Sequence, residues 1–208
     1  MALERTGRRI LGKSSERPNV VDSLNIGIID DLVSINQLLT FTNLLESNMF
    51  PWYYNKNTYS SSFEDIASQS GFTHLFIEDK RVNSDFWGQA SGFVEMFAKS
   101  INAVDWTPLR VQANLVPQLK LTHDGVPHTD GQQNLIKNGY EWITGIVYLN
   151  ESDGDTLFYH ENKIVYRHSP VVNRCLWFDG NVVHSGSVPQ NTSRRLILNI
   201  NLEVKSWK

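Results

Sequence analysis

The chain has 208 residues, of which 40% are hydrophobic and 20% charged, which excludes a long disordered chain, a collagen and a coiled coil. Its net charge of −3 argues against a dedicated nucleic-acid binder that depends on phosphate contacts. The single cysteine, Cys175, excludes an internal disulfide and a zinc site of several thiolates. We expect a cytoplasmic protein with no membrane partner, because neither a membrane-spanning run nor a signal-peptide core is found.

The first 18 residues differ in charge from the rest of the chain. They carry five basic residues against two acidic ones, a net charge of +3, so the remainder must carry −6. We predict a flexible or surface-bound N-terminal arm over 1–18, with contact to nucleic acid as the alternative. Residues 19–208 are predicted to form a single domain. Its helical support spans about 28–104 and its β core about 109–204.

Two segments of the N-terminal half are predicted helices. The first begins at Asp30 or Asp31, either of which is a suitable N-cap, and carries apolar residues at helical spacing. These residues are Leu32, Ile35, Leu38, Leu39 and Leu45. The second helix begins near Ser84 and extends to about Val104. Its apolar stripe consists of Phe86, Trp87, Ala90, Phe93, Val94, Phe97 and Ile101. We expect both stripes to face the core.

From about residue 109 onward, short β-rich runs alternate with Gly, Asp, Asn and Pro residues. The runs are 109–121, 141–149, 156–159, 163–166, 175–178, 182–184 and 195–204. This rhythm favours an all-β sandwich or barrel over βαβ units. The chain is therefore predicted to place its helices on one outer face of a rolled sheet.

A candidate metal site begins at His128, the one histidine of six that is followed two residues later by an aspartate, Asp130. Alternate residues of a strand point the same way, so both side chains can meet one ion. His184 follows two β-branched residues and is a candidate third ligand at a strand end. Two histidines and a carboxylate form the facial triad of non-haem iron(II) oxygenases, whereas zinc favours four tetrahedral positions. The alternative is two separate surface or packing histidines.

Two arginines, Arg194 and Arg195, open a strand of strict alternation that follows His184. One face carries Arg195, Ile197, Asn199 and Asn201, and the other carries Leu196, Leu198, Ile200 and Leu202. An arginine at the start of an inward polar row suits a buried carboxylate partner, because its guanidinium binds carboxylates bidentately. The alternative is two surface arginines at a strand end.

The C-terminal half, from about Leu109 to Val204, resembles the iron(II)- and 2-oxoglutarate-dependent dioxygenases of the prolyl-hydroxylase-like branch, including small bacterial and bacteriophage members. The His128-x-Asp130 pair, the distal His184 and the arginine after it carry the resemblance. Three further segments match in order along the chain. They are 143–150, which ends in Tyr-Leu-Asn, 153–157, a Gly-Gly-x-Leu-like turn with Asp155 in place of the second glycine, and 173–180, which leads into the second histidine.

The resemblance implies an α+β protein with a double-stranded β-helix, which is a jelly-roll or cupin-like barrel. It implies that His128, Asp130 and His184 hold Fe(II). The far carboxylate of 2-oxoglutarate would meet Tyr148 and Arg195, with Arg194 as the alternative arginine. Gln118, ten residues before His128, is a further cosubstrate contact on the same ground. The implied cosubstrates are 2-oxoglutarate and O2, with ascorbate as a reductant.

The resemblance implies an enzyme that hydroxylates a C–H bond and releases succinate and CO2. The substrate would be a protein, a peptide or a small molecule, with a prolyl residue favoured by the branch. Its selecting loops are predicted at 50–82, Thr122–Val126 and Gly131–Tyr140, and the aromatic segment 50–59 either lines a pocket or covers the core. One alternative is nucleic-acid dealkylation, which is disfavoured because Asn201 stands where that branch carries a second arginine. The other is a catalytically silent jelly-roll binding protein.

Overall fold

The computed structural model describes residues 24–55, 70–119, 124–131 and 139–207. The predicted basic arm over 1–18 lies outside these residues. Among the helices that are described, none combines the length and the apolar character that crossing a bilayer requires.

The described chain is mostly β-strand, with two helices. The helices are α1 (Ile35–Leu45) and α2 (Trp87–Ser100). The strands are β1 (Gly27–Ile29), β2 (Tyr53–Asn55), β3 (Gly71–Glu78), β4 (Arg81–Val82), β5 (Ala103–Pro117), β6 (Glu141–Tyr148), β7 (Thr156–His160), β8 (Lys163–His168), β9 (Cys175–Asp179), β10 (His184–Gly186) and β11 (Arg194–Trp207).

The strands form two antiparallel sheets. The larger sheet has the order β1-β9-β6-β11-β5-β3-β2, with β4 paired to β3, and the smaller one has the order β10-β7-β8. His128 joins the smaller sheet through an isolated antiparallel bridge to His184. Two facing antiparallel sheets are typical of a jelly-roll. The predicted β-rich, jelly-roll-like fold is therefore confirmed at this level.

The long strand β11 lies at the centre of the larger sheet, between β5 and β6, and has two chemically different faces. Leu196, Leu198, Ile200 and Leu202 are buried in the main apolar cluster, which also contains side chains of both helices. Asn199 and Asn201 are buried on the opposite face, among polar groups. The alternation thus separates an apolar layer from a polar interior. That the helices cover one outer face of the sheet stays a prediction.

Both helices begin later than the sequence predicted. Helix α1 is capped by Ser34, whose side chain accepts a hydrogen bond from the Gln37 amide, and not by Asp30 or Asp31. Asp31 has a positive φ of 50°, which ends any helix running through it. Ile35 and Leu39 are exposed, so part of the predicted apolar stripe faces away from the core. Leu38, Phe41 and Leu45 are the buried residues of α1.

Helix α2 begins at Trp87 and ends at Ser100, inside the predicted range. Ser84 does not serve as its N-cap residue; instead its hydroxyl bonds with the Nε2 atom of His74 and accepts from the Phe86 amide. Asn102 has a positive φ of 60°, and the chain enters β5 at Ala103. The predicted helical end near Val104 is therefore wrong, because those residues already pair with β11.

Strands β2 and β3 lie in a region that was predicted as helical support and loop. β3 pairs with β5 and buries Phe76 and Ile77 in the main apolar cluster. The polar and apolar residues of β3 do not alternate strictly. A register shift between Leu75 and Ile77 interrupts the period of two that would mark a strand in the sequence. With β1 and β4, these two strands make up four of the eight strands of the larger sheet, so half of its strands precede the C-terminal half of the chain.

Asp153 fixes the loop that leads into β11. Its carboxylate accepts hydrogen bonds from the Thr192 hydroxyl at 2.7 Å, and from the amides of Gln190, Asn191 and Thr192. Burial opposes ionisation, but these donors outweigh it and hold the pKa of Asp153 well below its ordinary value. The stabilisation they provide is present above the unfolded pKa of about 3.9 and is lost as the pH falls below it.

We expect Asp153→Asn to lower the free energy of unfolding by about 1 kcal/mol at pH 7, after allowance for solvent screening. The difference from the unmodified protein should shrink as the pH is lowered from about 4. Thermal unfolding at pH 7 and pH 3 measures both effects. The control is Asp105→Asn, because Asp105 is exposed and lies 3.9 Å from Lys205. A loss that is equally large at both pH values would contradict this role.

Candidate metal centre

The fold brings the three predicted ligands together. His184 is the first residue of β10, and its backbone exchanges two hydrogen bonds of 2.9 Å with that of His128. The two imidazole rings lie 4.5 Å apart between centroids. Ligand atoms of His128, Asp130 and His184 all lie within 4.8 Å of one another. Three side chains from two distant parts of the chain therefore converge on one point.

Backbone carbonyls orient both imidazoles. The Nδ1 atom of His128 lies 2.9 Å from the Val126 carbonyl oxygen, and Nδ1 of His184 lies 3.0 Å from that of Val182. A carbonyl only accepts, so Nδ1 carries the proton in each ring and Nε2 keeps its lone pair. The Nε2 atoms lie 3.9 Å and 3.8 Å from the Asp130 carboxylate. Both Nε2 atoms thus lie on the side of the ring that faces Asp130.

The charge states of the cluster also suit a metal ion. Burial and the neighbouring His184 lower the pKa of His128 to about 4, and burial lowers the pKa of His184. Burial alone would raise the pKa of Asp130, but His184, Arg110 and His128 hold it far below its ordinary value. Two neutral imidazoles and one carboxylate are the forms that bind a divalent cation.

Asp130 is held by four donors that the sequence did not reveal. Its Oδ1 atom accepts from Arg110 Nη2 at 2.7 Å. Its Oδ2 atom accepts from Asn199 at 3.0 Å, and from Asn201 and the Thr144 hydroxyl at 3.2 Å. These donors come from β5, β6 and β11, so they could be found only by knowing which strands are neighbours. They fix the orientation of a carboxylate that is 2% exposed.

We expect Asn199→Ala to weaken Mn(II) binding by about 10- to 100-fold, the usual effect of losing a partner that orients a metal ligand. Isothermal titration calorimetry of the purified variant measures the affinity. The matched control is Asn114→Ala, because the Asn114 amide oxygen accepts from Gln112 and not from a metal-site residue. Equal Mn(II) affinity in Asn199→Ala and the unmodified protein would show that Asp130 needs no such support.

A second polar cluster surrounds Arg195, whose side chain lies on the inner face of β11. Its Nε donates to the Gly154 carbonyl at 2.8 Å and its Nη2 to the Thr156 hydroxyl oxygen at 3.0 Å. The Tyr148 hydroxyl lies 2.7 Å from the same Thr156 oxygen, and the guanidinium carbon lies 5.9 Å from the Tyr148 ring centroid. Burial raises the pKa of Tyr148 to about 12. Tyr148 is therefore a neutral hydroxyl group beside a cation.

The surroundings of Arg195 fit an anionic ligand. Arg195 is 5% exposed, yet no carboxylate of the described residues lies within ion-pair distance of it. Its Nη1 atom makes no hydrogen bond within the same residues. A buried guanidinium without a counter-ion is costly unless a ligand supplies one. The side chain also requires Gly186, since a Cβ atom there would lie 2.9 Å from Nη1.

No protein-family model and no curated protein sequence matches the chain, but solved structures do. An oxidoreductase of the 2OG-Fe(II) oxygenase family from Burkholderia pseudomallei superposes with a TM-score of 0.65 at 9% identity, covering 92% of this chain and 93% of that one. The fold is that of the 2-oxoglutarate–iron(II) oxygenases. The resemblance predicted from the sequence is confirmed at the level of fold.

Two further structures with this oxygenase fold are prolyl hydroxylases. One, from Trichoplax adhaerens, is in complex with a peptide of a hypoxia-inducible factor; it has a TM-score of 0.55 at 17% identity and covers 90% of this chain and 86% of its own. The other is the viral collagen prolyl hydroxylase of Paramecium bursaria Chlorella virus-1 in its 2-oxoglutarate complex. Its TM-score is 0.53 at 14% identity, with 89% and 99% covered.

Two of the predicted cosubstrate contacts, Arg194 and Gln118, lie apart from Arg195 and Tyr148. Arg194 forms an ion pair with Glu46, at the end of α1. The Gln118 side-chain amide donates to the Gln190 carbonyl, and Gln118 is exposed. Adjacent residues of a strand point to opposite faces, so only one of the two arginines can face Tyr148. The structure brings Arg195 there and leaves Arg194 outside.

The predicted selecting loops are described only in part. The ranges 56–69, 122–123 and 132–138 of these loops lie outside the described residues. In the aromatic segment, Trp52 is partly buried and its indole nitrogen donates to the Leu45 carbonyl at 2.8 Å. Tyr53 and Tyr54 are both exposed. Trp52 therefore covers the core, whereas the two tyrosines are accessible to a ligand.

Proposed function

We propose that this chain is a non-haem Fe(II)- and 2-oxoglutarate-dependent dioxygenase that hydroxylates a C–H bond of its substrate. The observation that supports this most directly is the convergence of His128, Asp130 and His184 within 4.8 Å, in an interior that also holds Arg195. With dioxygen, iron and 2-oxoglutarate supply the oxidising chemistry when bound, and succinate and CO2 are released. Ascorbate would serve as a reductant that keeps the iron ferrous.

The protein's own task at the metal is to hold three ligand atoms in place. Both imidazoles are fixed by carbonyl hydrogen bonds, and Asp130 is fixed by four donors. Only three protein groups would bind the ion, and an ion with a preference for six ligands then keeps positions for exchangeable ones. This ligand set favours Fe(II) over a closed structural zinc site.

The protein's task at the cosubstrate is to bind an anion between buried donors. Arg195 and the Tyr148 hydroxyl would bind the far carboxylate of 2-oxoglutarate, because both are buried donors beside Thr156. The guanidinium offers Nη1 without breaking its bonds to Gly154 and Thr156. Arg195 and Tyr148 are both buried, and a charge-assisted hydrogen bond is stronger where solvent has little access.

The substrate proposed by resemblance is a prolyl residue of a protein or peptide. Two structural neighbours are prolyl hydroxylases, and one was solved with a peptide. The exposed Tyr53 and Tyr54 lie on β2, at the edge of the larger sheet. Aromatic rings can pack against a proline ring, so these two residues are candidate substrate contacts.

The direct test is succinate release from 2-oxoglutarate with Fe(II) and O2, screened against peptides, free amino acids and methylated oligonucleotides. We expect at least one peptide or amino acid to stimulate release and to gain one oxygen atom in mass. Release should be lost in His184→Ala. Stimulation by methylated oligonucleotides alone, with demethylation, would contradict C–H hydroxylation of a peptide or amino acid and support the dealkylating alternative.

A further inference from the structure

Arg110 is the arginine that contacts the metal centre directly, and its setting differs from that of Arg195 in the second polar cluster. It lies on β5, directly opposite Asn201 of β11. Its Nη2 atom donates to Asp130 at 2.7 Å, yet its side chain is 37% exposed while that of Asp130 is 2% exposed. Arg110 therefore extends from the buried carboxylate towards the accessible side of the centre.

Among the described residues, Asp130 is the one hydrogen-bond partner of the Arg110 side chain. Its Nε atom is buried and has no hydrogen-bond partner within the described residues. Asp130 is the one carboxylate among those residues in ion-pair distance of Arg110. An arginine that served only to hold Asp130 would be expected to use two parallel nitrogens, and a buried donor without an acceptor is costly. Because Nη2 is bonded to Asp130 and Nε is buried, Nη1 is the donor that the described residues leave for a further acceptor.

The interior face around Arg110 is rich in neutral amides and poor in free carboxylates. Val111 and Ala113 point into the apolar cluster, so Arg110, Gln112 and Asn114 share the opposite face of β5. A further buried carboxylate, that of Glu203 on β11, pairs with Lys80. Nothing in the described part of this face therefore neutralises Arg110 except the single charge of Asp130.

The charge balance indicates what Arg110 would bind. One of the two charges of a divalent ion would be balanced by Asp130, and the other by one carboxylate of 2-oxoglutarate. Arg195 would balance the second carboxylate of 2-oxoglutarate. Arg110 then contributes one uncompensated positive charge beside the reacting centre. Such a charge attracts an anionic group and disfavours a neutral or cationic one.

We propose that Arg110 binds a carboxylate of the substrate, so that the reacting C–H bond belongs to a molecule with an acidic group close to it. This inference rests on the proposed function. Two kinds of molecule can supply this carboxylate. It is either the α-carboxylate of a free amino acid or the side chain of an acidic residue in a peptide. Arg110 is a specificity-determining residue in either case.

The test compares acids with their matched amides. Protein loaded with Mn(II) and 2-oxoglutarate is titrated without oxygen, using free L-amino acids against their carboxamides, and blocked peptides containing Asp or Glu against Asn or Gln. Binding is followed by NMR line broadening. We expect at least one acid to bind about tenfold or more tightly than its amide. A preference in the first series identifies the α-carboxylate, and one in the second identifies the side chain.

Arg110→Gln should abolish the preference for acid over amide, and Arg110→Lys should retain part of it. The ratio of acid affinity to amide affinity is measured at saturating Mn(II), so that a change in metal affinity does not alter it. Electron paramagnetic resonance verifies that the protein is saturated with Mn(II). Equal binding of acids and amides by the unmodified protein, including no binding of either, would overturn the proposal, as would an unchanged ratio in Arg110→Gln. The Mn(II) signal reports separately on the proposed metal centre.

Discussion

Replacing Asp130 by alanine is expected to weaken Mn(II) or Fe(II) binding by more than about 100-fold, beyond the loss caused by removing an orienting partner. The carboxylate is the one anionic ligand of the cluster, and it is kept ionised by His184, Arg110 and His128. Its removal leaves two neutral imidazoles, which cannot compensate a divalent charge. Calorimetric titration with Mn(II) measures the affinity, and succinate release measures the loss of turnover.

The control for Asp130→Ala is His160→Ala. His160 is an exposed histidine at the end of β7, and its imidazole lies 4.0 Å from the exposed Glu161. The His160→Ala variant should bind Mn(II) as tightly as the unmodified protein. If Asp130→Ala and His160→Ala bound Mn(II) equally well, the metal would have to be held elsewhere, and the triad would be three packed polar residues.

Replacing Arg195 by methionine is expected to weaken 2-oxoglutarate binding by about 100-fold or more, the cost of truncating one partner of a buried, hydrogen-bonded charge pair. Methionine keeps much of the volume of the side chain but none of its donors. The Gly154 carbonyl and the Thr156 hydroxyl also lose their partner, so a fall in melting temperature should accompany the loss. Calorimetry with 2-oxoglutarate in the presence of Mn(II) measures the affinity.

Arg194→Met is the matched control, because the two arginines are adjacent and were both candidates. Arg194 pairs with Glu46 at the surface, and such pairs contribute about 0–1 kcal/mol to stability. We expect its affinity for 2-oxoglutarate to be unchanged. The opposite pattern, with Arg194→Met defective and Arg195→Met intact, would place the cosubstrate on the other face of β11.

The β-rich half was predictable from the sequence because its strands are short, alternating and separated by turn residues. β11 is the clearest case, since the alternation of Leu198 with Asn199 and Asn201 is reproduced by burial on opposite faces. The helix starts were wrong, because several residues before α1 and α2 were suitable caps and the decisive backbone angle at Asp31 cannot be seen in a sequence. Strand β3 was missed because a register shift hides its period.

The candidate ligands were predictable because His128 and Asp130 lie two residues apart and His184 ends a strand. Their supporting residues were not. Arg110 and Asn201 meet Asp130 only because β5 and β11 are neighbours in register. In the sequence, Asn201 served only as an argument against the dealkylating branch, because it stands where that branch carries a second arginine. In the structure, its side chain donates a hydrogen bond to Asp130 at 3.2 Å.

The most direct test of the central claim is the visible spectrum of the protein with Fe(II) and 2-oxoglutarate in the absence of oxygen. We expect a charge-transfer band that requires both additions and that is absent in His128→Ala. Such a band would report one ion bound jointly by the protein and the keto acid. A protein that binds both additions without a band, or a band that persists in His128→Ala, would contradict the assignment.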